Sequence, residues 1–443
     1  MKKHLFAKSV ALTVVLIFCA FSLFAAGEQE AGGAKEAELV IWWWGEQEAP
    51  GAEAWMEETT KMYSEENPGV TFETVLQSTD NLVPAFKTAA AAQQGPDIQY
   101  FWGGVWTLED AWAGHLAPIS DYIPESEYSH YISNVEREYN GKLWGIGWYL
   151  SGNSMAYRKD LFREAGLDPE KDYSQWDDFL YACEQLKQAG IIPIAGGLKD
   201  GWFGGWIWQL LSKQSLDSAE ELKKAAVGEY SFTDPKFAAW WEKLYELKQK
   251  GYWNEDINSL DYQQGQDLFV RGDAAMIFGN DSFYPGWLDT IGADNFGVMM
   301  IPVWGDGDLA DSYTVTAQGL GITSWSKHKQ EAADFLMYTH TDDRLNAWYD
   351  KTGVFPADDR FDSSKITTPQ MKKVFNWIKA KPGPNLENFI PSILDEQANF
   401  VGCQKLFAGE FTPSECAQLQ EDVITKWRKE NPESVQDFEN WIK

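Results

Sequence analysis

The sequence predicts an α/β protein in which strands and helices alternate from residue 38 onward. Between residues 38 and 101, short apolar runs alternate with helix-length stretches, a spacing typical of a parallel sheet covered by helices. The chain has 443 residues, and since domains average roughly 100–200 residues, two or three domains are expected. Small residues at 151–154 indicate a place where the chain leaves one globule for another.

The apolar patterns predict the main elements in chain order. Strands are predicted at 38–44, 70–76, 98–101, 191–197, 274–279, 296–303 and 314–322. Helices are predicted at 52–63, 82–93, 204–214, 262–271, 329–338 and 342–351, and the chain is predicted to be helical from 368 onward.

Local signals predict one hairpin and three further helix starts. Asn140-Gly141 is the pair that a tight primed hairpin turn accepts with both central residues at positive φ. A capping box is predicted at Ser174, with Asp177 three residues on, and another at Ser218. Asp234-Pro235 predicts the start of a long helix with an apolar stripe.

The N-terminus has the pattern of a secretory signal peptide. Residues 1–27 have a basic start, a charge-free apolar run and small residues at the end. A membrane anchor is the alternative, but the apolar run is at the lower limit of spanning length. A lipoprotein site at Cys19 is disfavoured because Phe18 is too large for the usual lipobox. Residues 28–37 read as a flexible polar linker.

Net charge excludes some partner classes. The chain carries −30 at pH 7, and removing residues 1–27, which hold three lysines and no acid, gives −33. Such a surface repels nucleic acid and anionic membranes, so no nucleic-acid partner is expected.

Three cysteines remain after the predicted cleavage. Cys403 and Cys416 would be able to form a disulfide in an oxidising compartment, leaving Cys183 buried on a helix, or all three would be buried thiols.

Several motifs resemble one family. The run Tyr157–Pro169 (YRKDLFREAGLDP) and the following 176–179 (WDDF) resemble the extracellular solute-binding proteins of carbohydrate ABC importers, the maltose-binding-protein-like family 1. Residues 39–45, 95–98 and 269–279 match further family stretches, so the resemblance extends from about residue 38 to the C-terminus.

This resemblance implies a two-lobe periplasmic-binding-protein fold of type II. Each lobe would be a mixed sheet flanked by helices, joined by hinge segments that cross between the lobes near 150–154, 300–304 and 352–356. The implied limits are 38–150 plus 303–353 for lobe 1, and 151–302 plus 354–443 for lobe 2.

The residue pattern also indicates a sugar site. Trp42, Trp43 and Trp44 end the first predicted strand, where ligands bind in α/β sheets, and Glu46 and Gln47 follow. An indole stacks on the apolar face of a sugar ring, while acids and amides bind its hydroxyl groups. Tryptophans followed by acids or amides supply both.

The resemblance extends this set to both lobes. Gln47, Ser151 and Asp281 depart from the family's usual side chains at their positions, and Asp80 and Gln318 are added from strand-end positions. The predicted ligand-binding residues are Trp43, Trp44, Glu46, Gln47, Asp80, Phe101, Trp102, Ser151, Asp200, Trp202, Phe203, Trp206, Asp281, Trp287, Gln318 and Glu396.

The sequence therefore predicts a monomeric binding protein, not an enzyme, that acts outside the cytoplasm. It is expected to bind a neutral sugar, as an oligosaccharide, and to pass it to membrane permease subunits. No cofactor or metal is expected. No histidine pair has metal-ligand spacing and no phosphate-binding glycine loop is present. Two alternatives stay open: binding of a polyamine or quaternary amine in an aromatic cage with acids, and a secreted glycoside hydrolase.

Overall fold

The computed structural model describes residues 36–442, and the predicted signal peptide and most of the predicted linker lie outside them. The strands are β1 Ala37–Trp43, β2 Val70–Leu76, β3 Ile98–Phe101, β4 Leu116–Ala117, β5 Glu138–Tyr139, β6 Lys142–Leu143, β7 Ile146–Arg158, β8 Ile192–Ala195, β9 Ala274–Asn280, β10 Phe296–Met299, β11 Tyr313–Thr323 and β12 Pro382–Gly383.

The α-helices are α1 Ala52–Glu66, α2 Thr79–Ala92, α3 Val105–Trp112, α4 Glu125–Tyr128, α5 Lys159–Glu164, α6 Trp176–Gln188, α7 Phe203–Ser212, α8 Glu220–Val227, α9 Pro235–Gln249, α10 Tyr262–Arg271, α11 Tyr284–Ile291, α12 Lys329–Thr339, α13 Asp342–Thr352, α14 Pro369–Ala380, α15 Ser392–Leu394, α16 Phe400–Ala408, α17 Pro413–Glu430 and α18 Pro432–Ile442. A π-helical turn, Asp395–Asn399, precedes α16.

A mixed sheet carries the fold. Its main path runs β2-β1-β3-β11-β7-β9-β8. The strands β1, β2 and β3 are parallel to one another, whereas β11 is antiparallel to both β3 and β7. The α/β class is therefore confirmed. Strands β11 and β7 lie between the parallel strands β2, β1 and β3 at one end of the sheet and the parallel pair β9 and β8 at the other.

Strand β7 is the central element of the molecule. Its first half pairs with β11, and its second half lies between β9 and β10. Residues 151–154, which the sequence predicts as a flexible crossing, are continuous strand here. Gly152 is required for packing: an added Cβ would lie 2.5 Å from Tyr313 Cε1 and 2.6 Å from Asp281 Oδ2.

Two large groups of buried side chains flank β7. One contains Tyr149 and packs around β1, β3, α1, α12 and α13. The other contains Leu150 and packs around the second half of β7, β9, α6, α7, α9 and α16. Adjacent residues of one strand thus belong to different cores, at the position where the sequence predicts the first lobe to end.

The segment of the second predicted crossing, near residues 300–304, contacts elements of the second core. Trp176 N donates to Val303 O at 3.0 Å, and Trp304 N donates to Gln214 Oε1 at 2.7 Å, so residues 303–304 pack with the second core. The chain next reaches the first core along β11, which pairs with β7 and then with β3. The lobe limits remain a prediction, and these contacts favour moving the second boundary from 303 to β11.

The predicted hairpin is confirmed, but two predicted capping boxes are wrong. Strands β5 and β6 are antiparallel, and Asn140 and Gly141 have φ values of 52° and 67°. Helix α6 is preceded by Gln175 and α8 by Ala219, both without a side-chain cap. Ser174 instead pairs with Val303 through its backbone carbonyl, a long-range contact that the local pattern does not encode.

The described cysteines Cys183, Cys403 and Cys416 are buried free thiols. No helix within residues 36–442 has the length and apolar character needed to cross a membrane.

Candidate functional site

An aromatic cluster forms where β1 and β3 end. It consists of Trp44, Tyr100, Trp102 and Trp106, and is called the first aromatic cluster below. The ring of Trp44 lies 5.6 Å from Tyr100 and 6.0 Å from Trp102, and Trp102 lies 5.8 Å from Trp106. Trp102 and Trp106 are partly exposed. The Tyr100 hydroxyl donates to Gln318 Oε1 at 2.8 Å, so the sequence-predicted Trp44, Trp102 and Gln318 are brought together.

A second aromatic cluster lies at the start of α7. Trp202 and Trp206 have ring centroids 5.1 Å apart, and each packs on Tyr262, at 4.9 Å and 5.2 Å. Both tryptophans are partly exposed, while Phe203 beneath them is fully buried. Each aromatic cluster thus presents partly exposed indole rings on a buried aromatic base.

A buried polar network joins elements of the two cores. Glu48 accepts hydrogen bonds from Tyr149 Oη at 2.8 Å, Ser151 Oγ at 3.3 Å and Asn280 Nδ2 at 2.9 Å. Burial raises the pKa of the Glu48 carboxyl, although these donors favour its charged form. Glu48 therefore fixes the segment after β1 against β7 and the end of β9.

Asp281 is a second buried acid beside this polar network. Its carboxylate accepts from Gly152 N at 2.9 Å and from Tyr313 Oη at 2.8 Å, and it is 2% exposed. Burial is the largest influence and raises its pKa to about 7. Each of the two carboxylate oxygens thus accepts one hydrogen bond from a protein donor, on β7 and on β11 respectively.

Three predicted site residues belong to the core. Trp43 is 2% exposed and its ring lies 6.0 Å from that of Trp148. Trp287 is 6% exposed and packs on Phe269 at 5.2 Å. Phe203 is the third, as described above. Trp44 follows the last residue of β1 and is 8% exposed, but its ring packs on Tyr100 and Trp102, so it forms part of the base of the first aromatic cluster.

Glu46 and Gln47 make local contacts. The Glu46 carboxylate accepts from the backbone N–H groups of Gly51 at 2.9 Å and Glu53 at 2.6 Å, so it caps the first turn of α1. Gln47 is exposed and its Nε2 donates to Thr79 Oγ1 at the start of α2.

The remaining predicted site residues differ in solvent exposure. Phe101 is 6% exposed and packs on Phe86 at 5.0 Å. Asp80 and Asp200 are exposed, and burial, Asp261 and Asp80 together raise the pKa of Asp200, which means that the two predicted acids lie close enough for their charges to interact. Glu396 is exposed in the π-helical turn.

Sequence reasoning missed Glu48, Tyr100, Trp106, Tyr262 and Asn280. Glu48 and Asn280 directly adjoin predicted residues, so strand-end polarity was a usable signal for both. Tyr262 begins α10, distant in sequence from every predicted site residue, and only tertiary packing brings it beneath Trp202.

Within residues 36–442 no three His, Cys, Asp or Glu side chains are arranged to hold a metal ion.

Comparison with known proteins identifies the family. The family model described as "Bacterial extracellular solute-binding protein" matches residues 45–339, more than half of the chain. An uncharacterized ABC transporter extracellular-binding protein of Pyrococcus horikoshii is 23% identical over 339 residues, covering 73% of this chain and 71% of that protein. The sn-glycerol-3-phosphate-binding periplasmic protein of Escherichia coli is 26% identical over 262 residues, covering 54% of this chain and 57% of the relative.

Two solved structures share the fold. A chitin oligosaccharide binding protein has a TM-score of 0.78 at 24% identity, covering 88% of this chain and 98% of that one. A protein from work on xylan utilization by Caldanaerobius polysaccharolyticus has a TM-score of 0.75 at 22% identity, covering 87% and 99%. At these identities the likeness concerns the fold alone, and the predicted two-lobe binding-protein fold is confirmed. The chain belongs to the bacterial extracellular solute-binding protein family.

Proposed function

We propose that this protein captures a neutral sugar, as an oligosaccharide, and delivers it to the permease of an ABC importer without making or breaking a bond. The observation that carries this proposal is the pair of aromatic clusters, each with partly exposed indole rings. The amide of Gln318 contacts the first cluster, and Asp200 precedes the second in sequence. Sugar rings offer an apolar face and a hydroxyl edge, and this arrangement is complementary to both.

The proposed site comprises fewer residues than the sequence predicts. Stacking is assigned to the partly exposed Trp102, Trp202 and Trp206, and Trp44, which is 8% exposed, supports Trp102 from below. Hydroxyl binding is assigned to the exposed Asp80 and Asp200, and to Gln318, which is 6% exposed and accepts a hydrogen bond from the Tyr100 hydroxyl. Glu48, Ser151, Asn280 and Asp281 form the floor on which the two sides meet.

Capture proceeds by hinge closure in this proposal. Lobe 1 comprises 38–150 and the segment from β11 to about 353, and lobe 2 comprises the remainder. The lobes rotate about β7, β11 and the segment near 352–356, as hinge-type binding proteins do. Ligand favours the closed form only by its differential affinity for that form.

Delivery and location are part of the same proposal. The protein is exported by the signal peptide at 1–27, acts as a monomer outside the cytoplasm and presents its closed form to permease subunits. Its net charge of −30 supports the absence of nucleic acid among its partners.

A calorimetric titration tests the proposal. Purified chain lacking residues 1–27 is titrated with mono- and oligosaccharides, with spermidine and betaine as controls, and each mixture is checked for ligand breakdown. We expect binding of an oligosaccharide that is recovered intact. Binding of the two cations alone would establish the amine alternative, and breakdown of a glycoside would establish the hydrolase alternative.

A further inference from the structure

A pocket lies between α2, the end of β3 and α3. It encloses about 450 Å³ of empty space, counting the part open to solvent. The space within it that a water molecule can reach is about 40 Å³, so it has room for a ring substituent rather than for a whole sugar ring. Its aromatic walls are Phe86, Phe101, Trp102 and Trp106.

This pocket opens beside the proposed sugar site. Trp102 and Trp106 belong both to the first aromatic cluster and to the pocket wall. Ser392 closes the far side, where its N and Oγ donate to Glu109 at 3.2 Å and 2.8 Å. A ligand ring stacked on Trp102 therefore has a neighbouring chamber into which one of its substituents can extend.

The pocket contains one buried hydrogen-bond acceptor without a partner. Gln99 lines the pocket and is 1% exposed, and its Oε1 has no hydrogen-bond partner in the structure. Its Nε2 donates to Tyr100 O at 2.8 Å. That bond fixes the orientation of the amide, because turning it over would set two carbonyl oxygens against each other. A buried acceptor left unpaired is costly, so the pocket favours a ligand with a donor at this position.

The charged side chains at the rim of the pocket differ in whether they already have a partner within the protein. Glu109 is engaged by Ser392, and Asp110 is paired with His115 at 2.7 Å. Lys87 is exposed at the rim and forms no ion pair with any residue of the 36–442 range. Its ammonium group is therefore available to donate to a ligand acceptor.

We propose that the pocket receives the acetamido group of an N-acetylated amino sugar, so that the ligand is an oligosaccharide of this class. This inference rests on the proposed function. The amide N–H donates to Gln99 Oε1, and the carbonyl oxygen, which points the opposite way in a trans amide, accepts from Lys87 at the rim. The methyl group is buried against the aromatic walls.

Other substituents fit this lining less well. A hydroxyl group supplies the donor but leaves the apolar walls uncovered. A carboxylate or phosphate has no donor for Gln99 Oε1. A free ammonium group supplies donors but, like the hydroxyl group, leaves the apolar walls uncovered. The lining thus selects the acetylated amine over the hydroxyl, acidic and free-amine forms of the same sugar ring.

The test compares three matched oligosaccharides in calorimetric titrations: N-acetylglucosamine oligomers, glucose oligomers of the same β-1,4 linkage and length, and their free-amine counterparts. We expect the wild-type chain to bind the acetylated form about tenfold or more tightly than either other form. Two variants remove the pocket: Gln99→Leu deletes the acceptor, and Val83→Trp fills the space. Each should reduce the acetylated preference to about twofold or less while the affinity for the glucose oligomer is retained.

Val135→Trp is the matched control, since Val135 is 68% exposed and does not line the pocket. Thermal unfolding of each variant shows whether it is folded. Equal affinity of the wild-type chain for acetylated and hydroxyl forms, or an undiminished preference in folded Val83→Trp, overturns the pocket assignment alone and leaves sugar capture standing. Failure of every sugar to bind the wild-type chain overturns the proposed function itself and this inference with it.

Discussion

Tryptophan has two roles in this chain, and solvent exposure separates them. Trp102 is partly exposed between Trp44 and Trp106, whereas Trp43, the last residue of β1, is 2% exposed and packs on Trp148. A partly exposed ring can stack on a ligand, and a buried ring contributes packing energy.

Replacing Trp102 tests the first role. Trp102→Ala should weaken oligosaccharide binding about tenfold or more, because a stacking surface is lost, while the free energy of unfolding changes little. Titration calorimetry and urea denaturation measure the two effects. The paired variant Trp43→Ala should instead lower the free energy of unfolding by about 3–5 kcal/mol. Unchanged affinity in Trp102→Ala would remove that residue from the site.

Asp281 makes stability depend on pH. Its pKa is about 7 in the folded protein against 3.8 for the free side chain, so the folded state holds this proton where the unfolded state has lost it. The unfolding free energy should therefore fall as pH rises from about 4 to 7, by at most about 4 kcal/mol from this group.

The Asp281→Asn variant isolates that effect. It carries no titrating proton at this position, so its unfolding free energy should fall less between pH 5 and pH 8 than that of the wild type, as measured by urea denaturation. Glu136 and Asp395, which also have a pKa near 7 through burial, remain in both proteins and cancel in the comparison. Parallel pH profiles would contradict the assignment.

At the scale of elements, β7 is continuous where the sequence indicates a flexible crossing. The small residues of this strand permit close approach of neighbouring side chains. Gly152 leaves room for Tyr313 and Asp281, which meet directly above it. The strand can therefore pass from one core to the other without a loop.

Gly152→Ala should lower the free energy of unfolding by about 1–3 kcal/mol, because the added methyl group overlaps both neighbours. Gly286→Ala is a suitable control: it lies inside α11, where an added Cβ meets nothing within 4 Å, and alanine is favoured there by up to about 1 kcal/mol. Denaturant unfolding of both variants measures the difference. Equal stability of the two would show that β7 adapts to the extra volume.

Helix starts show how local patterns compete with long-range contacts. Asp261 with Gln264 and Thr412 with Glu415 form reciprocal capping boxes, while the similar pattern at Ser174 does not. The backbone of Ser174 is paired with Val303 instead. A tertiary hydrogen bond to a residue far along the chain thus overrides the local preference.

At the scale of the whole molecule, charge and motion offer two tests. A neutral sugar should bind with an affinity that changes less than about twofold between about 0.05 and 0.5 M salt, since no charge pair is formed with the ligand. Calorimetry at both salt concentrations measures this. A steep loss of affinity at high salt would favour the amine alternative.

Closure should change the overall dimensions. If the lobes rotate about β7 and β11, saturating ligand should lower the radius of gyration measured by small-angle X-ray scattering, relative to ligand-free chain. An unchanged radius on saturation would contradict hinge closure as the mode of capture, while leaving the binding site itself untouched.

The sequence by itself determined the fold class, the family and most elements. The bounds of β2, β3 and α10 match their predictions, and the hairpin follows from Asn140-Gly141, because periodicity and turn chemistry are local properties. Trp44 and Trp102 were also predictable from the sequence, because they follow the ends of β1 and β3 and ligands bind at strand ends in an α/β sheet. Gln318 was assigned to a strand end, but it lies in the middle of β11.

Only the tertiary structure decided which of these side chains meet. It places Trp43, Phe203 and Trp287 in the core, assigns Glu46 to a helix end and brings Glu48 to Asn280 across 232 positions of sequence. Residue type and spacing define which contacts a side chain can make. Which contact it makes depends on the packing of distant segments against it, and that packing is absent from any local pattern.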